Sequence, residues 1–249
     1  MIGEIRVMQE GTDNTQSINE FGVTATINEK KIQMINIIGQ IEGHLMLPPQ
    51  NKTTKYEHVL PMLMEIEQSN EIDGFILLLN TAGGDVEAGL ALSEMVSGMS
   101  KPCVSLVIGG GHSIGACLAV STDYSYIAKS ASMTIHPIRM NGMIISIPQT
   151  FEYFNKMQDR IINFVCDNAH IDSVSYKALM LNTGDLANDT GTVLVGAQAV
   201  ENKIIDDVGD LQVALEKLSD LIKEKKGTEN VETIEKIKDD TINKIKEEQ

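Results

Sequence analysis

Tryptophan is absent from the 249 residues, and phenylalanine and tyrosine number five each. A core held by stacked rings is therefore excluded, and the interior has to come from Ile, Leu, Val, Ala and thirteen Met. Cysteine is nearly as scarce. Cys103, Cys117 and Cys166 are an odd number, sit in apolar surroundings and show no CxxC spacing, which rules against a disulfide framework or a zinc site and suits a reducing compartment. Basic residues are in deficit, 20 Lys and Arg against 35 Asp and Glu. The net charge of −15 argues against a nucleic-acid partner, since phosphate recognition needs clustered cations. Long apolar runs are missing too: the stretch from Cys103 to Ser121 approaches membrane-spanning length, but glycines, His112 and Ser113 interrupt it, so no membrane insertion is expected. Met1 to Arg6 lacks the basic and then apolar order of a secretory signal, and a cytoplasmic location is expected.

What is present is an alternation of apolar strands, glycine turns and amphipathic helices, the pattern of an α/β fold with one large core. Residues 1–30 are polar, without a sustained period, and read as a flexible N-terminal arm. Strands are expected at Ile32 to Ile38, Phe75 to Leu79, Val104 to Ile108, Tyr124 to Ala128, Met133 to His136, Gly142 to Ile147 and Ile204 to Asp206. Helical faces run through Tyr56, Val59, Leu60, Leu63 and Ile66, and through Leu92, Met95, Val96 and Met99. Two more follow, one through Phe151, Phe154, Ile161, Ile162 and Val165, and one from Val208 to Ile222. The core domain is set at 31–222. Residues 223–249 are a charged tail, with Val231, Ile234, Ile237, Ile242 and Ile245 at helical intervals.

The chemistry centres on Gly109-Gly-Gly-His-Ser-Ile-Gly-Ala-Cys117, which joins a strand to a helix. Glycines on both sides of Ser113 let the chain bend sharply and lift the hydroxyl clear, with the following amide free to receive an oxyanion. A serine needs a base, and His136, at a strand end before Pro137, is the best placed. Most strand-end histidines are structural; the serine turn is what raises this one. Two oxyanion donors are expected, the amides of Ile114 and of Gly84 in the second glycine turn, Asn80-Thr-Ala-Gly-Gly84. Read alone, that turn is an ordinary strand-to-helix connection. Gly111-His-Ser-Ile-Gly115 also fits the G-x-S-x-G string of α/β-hydrolases, but that fold needs an acid and then a late histidine, and none follows His170. His112 is read as a turn residue that points away from the serine.

Taken together, Asn80 to Gly84, Gly109 to Ala116 and Met133-Thr-Ile-His-Pro137 resemble the ClpP peptidases over roughly Ile32 to Ile222. Gly-Gly-Gly-His-Ser-Ile-Gly and Thr-Ile-His-Pro-Ile-Arg139 resemble more closely the ClpP-like branch of translocation-enhancing proteins. The resemblance implies a ClpP/crotonase fold of stacked ββα units, serine endopeptidase activity on peptides or unfolded proteins, and homo-oligomeric rings. It also implies a handle, here Gly142 to Ile147 and Phe151 to Asn168, and a groove along 140–147 that binds peptide as an added strand. An ATPase unfoldase could feed such a ring, though this chain has no phosphate loop of its own. No cofactor is implied. The third triad member departs from the pattern. Counting back from Gly196-Ala-Gln-Ala-Val200 leads to Gly191, so Asp189 is the expected orienting acid, with Asp185 next and Asn188 as an uncharged substitute. Ala82 stands where ClpP has proline. The alternatives are a silent ClpP-like scaffold or regulator, which the displaced aspartate favours, and crotonase-like acyl-CoA chemistry, which shares the fold and has no use for Ser113. A lysine base is disfavoured because the serine helix carries none.

Overall fold

The computed structural model describes residues 6–7, 24–27, 30–139, 146–185 and 189–228. The expected strand and peptide groove around Gly142, the substitute Asn188 and the tail helix from Val231 lie outside the described residues.

A mostly parallel sheet organises the molecule. Its strands are β1 (Arg6–Val7), β2 (Thr24–Ile27), β3 (Lys30–Glu42), β4 (Thr53–Lys55), β5 (Gly74–Gly84), β6 (Cys103–Gly111), β7 (Tyr124–Ile127), β8 (Ser132–Ile135), β9 (Thr192–Val195) and β10 (Asp207–Val208). They run in the order β1-β2-β3-β5-β6-β7-β10, with β4 on the edge of β3. The pairs β3/β5, β5/β6, β6/β7 and β7/β10 are parallel, while β1 and β2 add antiparallel. The sheet thus reaches into the first 30 residues, where the sequence shows no alternating period.

The helices are α1 (Tyr56–Gln68), α2 (Val86–Ser97), α3 (Gly115–Val120), α4 (Ile147–Asn168), α5 (Ser173–Met180), α6 (Ala197–Glu201) and α7 over 211–228. They cover both sheet faces, which is why a central strand carries an apolar run such as Phe75 to Leu79. Phe75, Leu77 and Leu79 enter one core with α1 to α5, whereas Ile76, Val104 and Leu106 face Ala214, Leu218 and Ile222 of α7. Ser105 falls on the first side, and its buried hydroxyl donates to the Ala119 carbonyl of α3 at 2.5 Å. No helix among the described residues is long and apolar enough to cross a membrane.

One reading is corrected. Ile204 to Asp206 is a bend and not a strand; the strand is Asp207–Val208. Ile204 and Ile205 are buried plugs, and the Asp206 carboxylate accepts from both the amide and the hydroxyl of Ser125, substituting for a ladder. The stripe on α4 does not pack along its whole length. Ile161, Ile162, Phe164 and Val165 are buried, but Phe151 is 66% exposed. The packed half is tied to α2 by Arg160, which donates to both carboxylate oxygens of Glu87.

The division of β6 positions the site. Its first half, Val104 to Val107, pairs with β7, while Gly110 pairs with Ser132 of β8 in a second small sheet that β9 closes antiparallel. The two sheets diverge where the glycines begin.

Candidate active site

Ser113 occupies the junction of β6 and α3 at φ 58°, a left-handed conformation that a non-glycine residue adopts at a cost of about 1–2 kcal/mol. Three neighbouring contacts hold it there. His112 N donates to the Thr81 carbonyl at 3.2 Å, Ser113 N to the Thr134 carbonyl at 2.8 Å, and Gly115 N to the His112 carbonyl at 2.9 Å. The turn is thus stitched to β5 on one side and β8 on the other. Glycine is required at 83, where φ is +83° and a Cβ would stand 2.6 Å from the Ser113 Cβ. At 110 a Cβ would stand 2.7 Å from the His112 ring. The glycines therefore make room for the serine turn as well as for its bend.

A cavity of about 120 Å³ opens on Ser113. Its lining combines Gly84, Ser113, Ile114 and His136 with an apolar wall that includes Ile138, Ile161 and Tyr176. Four of the five residues singled out from the sequence, Ser113, His136, Gly84 and Ile114, thus share one space. The Ile114 N–H has no acceptor among the described residues, and Asp85 N, the amide after Gly84, is taken by the Ile41 carbonyl at 3.0 Å. Ser113 and His136 share the cavity without a direct hydrogen bond.

The fifth residue, Asp189, is not joined to His136. Its Oδ2 lies 2.7 Å from Nη2 of Arg139 in an ion pair, and its Oδ1 accepts from Thr190 N at 2.7 Å. Asp185 accepts from Val193 N at 2.7 Å. The Nδ1 of His136 instead lies 2.7 Å from the Pro137 carbonyl. Burial lowers the His136 pKa below its usual value, with the Pro137 bond and Asp189 pulling upward and Arg139 downward. The ring is accordingly neutral at pH 7, the form a general base requires.

His112 is also lowered, first by burial and then by His136, and its Nδ1 is 2.9 Å from Thr134 Oγ1. Three participants escape a reading of the sequence: Thr81, whose Oγ1 accepts from Gly83 N at 3.0 Å; Thr134; and Arg139. Arg139 was visible only as part of Thr-Ile-His-Pro-Ile-Arg, and the threonines carry no signal distinguishing them from ordinary strand residues. Cys117, inside α3, is pushed up to about 12 by burial and is no nucleophile at neutral pH. Among the described residues no group of three or more His, Cys, Asp or Glu converges to hold a metal.

A mostly parallel α/β sheet that carries a strained serine at a strand-to-helix turn, with a histidine directly after a strand of the neighbouring small sheet, defines a ClpP-type architecture. The family model described as Clp protease matches residues 28–212, and the chain belongs to that family. The translocation-enhancing protein TepA of Halalkalibacterium halodurans is 50% identical over 218 residues, covering 86% of this chain and 85% of that protein. A provisionally named protease of Methanocaldococcus jannaschii is 24% identical over 208 residues, 72% of this chain and 65% of that protein.

Proposed function

We propose that the protein is a serine endopeptidase of the ClpP type, acting on peptides or unfolded chains. The observation that carries this reading is Ser113 at positive φ in one cavity with His136, Gly84 and Ile114. A hydroxyl held in a strained turn at a helix start, beside a neutral imidazole and an amide with no acceptor, is what acyl transfer needs.

In the proposed reaction Ser113 Oγ bonds to the scissile carbonyl carbon while its proton passes to His136 Nε2. The carbonyl oxygen becomes an oxyanion held by the amides of Gly84 and Ile114. Collapse of this adduct breaks the C–N bond, and His136 returns the proton to the leaving amine. Water then attacks the acyl-serine, again giving a proton to His136, and releases the carboxylic acid with Ser113 restored. Losing one oxyanion donor would cost about 10²–10³ in rate.

Family membership also supports a homo-oligomeric ring. The exposed half of α4, with Ile147, Phe151 and Tyr153, offers an unpacked apolar surface for such assembly. A ring with narrow entrances would admit short or unfolded substrates, and an ATP-driven unfoldase would extend that range. The 50% identity to a protein named for enhancing translocation supports placing this activity in the service of translocation.

The test is cleavage of an internally quenched unfolded peptide by purified full-length protein. The reading expects turnover that disappears in Ser113→Ala and His136→Ala while the assembly mass stays the same. Turnover that survives Ser113→Ala would refute it, as would an assembled wild type that cleaves nothing.

A further inference from the structure

We propose that His136 is oriented by a main-chain acceptor, the Pro137 carbonyl, and that Asp189 belongs to an ion pair with Arg139 beside it, so that the working unit is a serine–histidine pair without an orienting carboxylate. The inference rests on the peptidase reading above and refines its site.

The chemistry of the donors decides it. A carbonyl oxygen only accepts, so the 2.7 Å contact from His136 Nδ1 to the Pro137 oxygen requires the proton on Nδ1. A neutral imidazole carries one N–H, and this contact uses it. Nε2 is then a lone pair, the tautomer that can take a proton from a serine. An orienting aspartate supplies that same tautomer in a triad, and here the backbone already does so. Both Asp189 oxygens are engaged elsewhere, Oδ2 on Arg139 and Oδ1 on Thr190 N, and neither is in hydrogen-bond contact with His136.

Local covalent geometry suits the role. A residue before proline is held in extended conformation, and the pyrrolidine ring fixes φ at 137, so few torsions separate the imidazole from its acceptor. Proline also has no N–H at this position to draw a competing partner. Pro137 is thus a positioning residue, and the ion pair is an electrostatic neighbour. The titratable groups that act on His136 are His112 from the serine turn, Arg139 after β8 and Asp189 before β9; Tyr176, also in the cavity wall, has its pKa pushed well above the usual value by burial and stays neutral. Arg139 and Asp189 form an ion pair and act on the imidazole with opposite sign.

The experiment uses full-length protein labelled with ¹⁵N-histidine, with His136→Gln for assignment, to read the His136 tautomer at pH 8. Labelling rates with a fluorophosphonate are followed in parallel for wild type, Asp189→Asn and Arg139→Gln. Nδ1–H is expected in wild type and in Asp189→Asn. Labelling of Asp189→Asn should stay within about tenfold of wild type, against the roughly 10⁴-fold that an orienting triad aspartate contributes. The acid limb of labelling should shift to lower pH in Asp189→Asn and to higher pH in Arg139→Gln. An Nε2–H tautomer in wild type would overturn the inference, and so would a fall of a thousandfold or more in a folded Asp189→Asn. The wild-type tautomer is read without any reactivity, so it decides the inference even if absence of labelling sinks the peptidase reading.

Discussion

Ser113 donates its backbone N–H to the Thr134 carbonyl at 2.8 Å, so the strand that leads into His136 also holds the turn that presents the serine. A backbone bond thus links the serine turn to β8. Two positions separate Thr134 from His136, and in an extended strand that spacing returns to the same face.

Thr134 contributes a second bond through its side chain, to His112 Nδ1 at 2.9 Å. Thr134→Val keeps the main-chain bond and removes this one, leaving a half-buried imidazole nitrogen unsatisfied. A loss of about 1–3 kcal/mol in unfolding free energy is expected. Denaturant melts of the two proteins check it, with probe labelling slowed but not abolished.

Gly83→Ala should damage the site more than the fold. Its Cβ would press on that of Ser113 at 2.6 Å, and φ +83° is strained for alanine. Displacing the nucleophile by about an ångström is expected to cut labelling by about a hundredfold. Labelling rates checked against circular dichroism would separate this from unfolding.

Strain at Ser113 predicts an order between two inactive variants. Both Ser113→Ala and Ser113→Gly lose the hydroxyl, but only glycine relaxes at φ 58°. The glycine variant should be the more stable by about 1 kcal/mol, measured by chemical denaturation.

Acid should remove stability and activity together. His112 and His136 both have folded pKa values below the usual 6.5, so below that pH the unfolded chain binds more protons than the folded one. Their contribution is intact above about pH 6.5 and is lost as pH falls toward the folded values. Labelling should follow a single acid limb with its midpoint under 6.5, and melting temperature should begin to fall in the same range.

Much of the site was legible because backbone geometry leaves a mark on sequence. Gly83 and the glycines around Ser113 are needed where a Cβ would collide, and such positions stand out in a chain of otherwise ordinary strands. The doubly buried strands were legible for a similar reason, as apolar runs such as Phe75 to Leu79. Asp189 was different. Whether a carboxylate reaches a histidine or an arginine depends on tertiary placement, and Arg139 lies only three residues from His136, so sequence spacing could not choose between them. Phe151 matched a helical stripe although the helix outruns the core, and periodicity carries no information about what covers a face. Short elements such as Thr53–Lys55 and Ala197–Glu201 are too brief to show a period at all.

The most direct measurement is reaction of the assembled wild type with a fluorophosphonate, followed by mass spectrometry of the digested protein. In that reaction the serine oxygen displaces fluoride from phosphorus and gives up its proton to His136. A single adduct on Ser113, absent from His136→Ala, is the result this account predicts. A folded wild type that takes up no probe, or takes it up elsewhere, would contradict it.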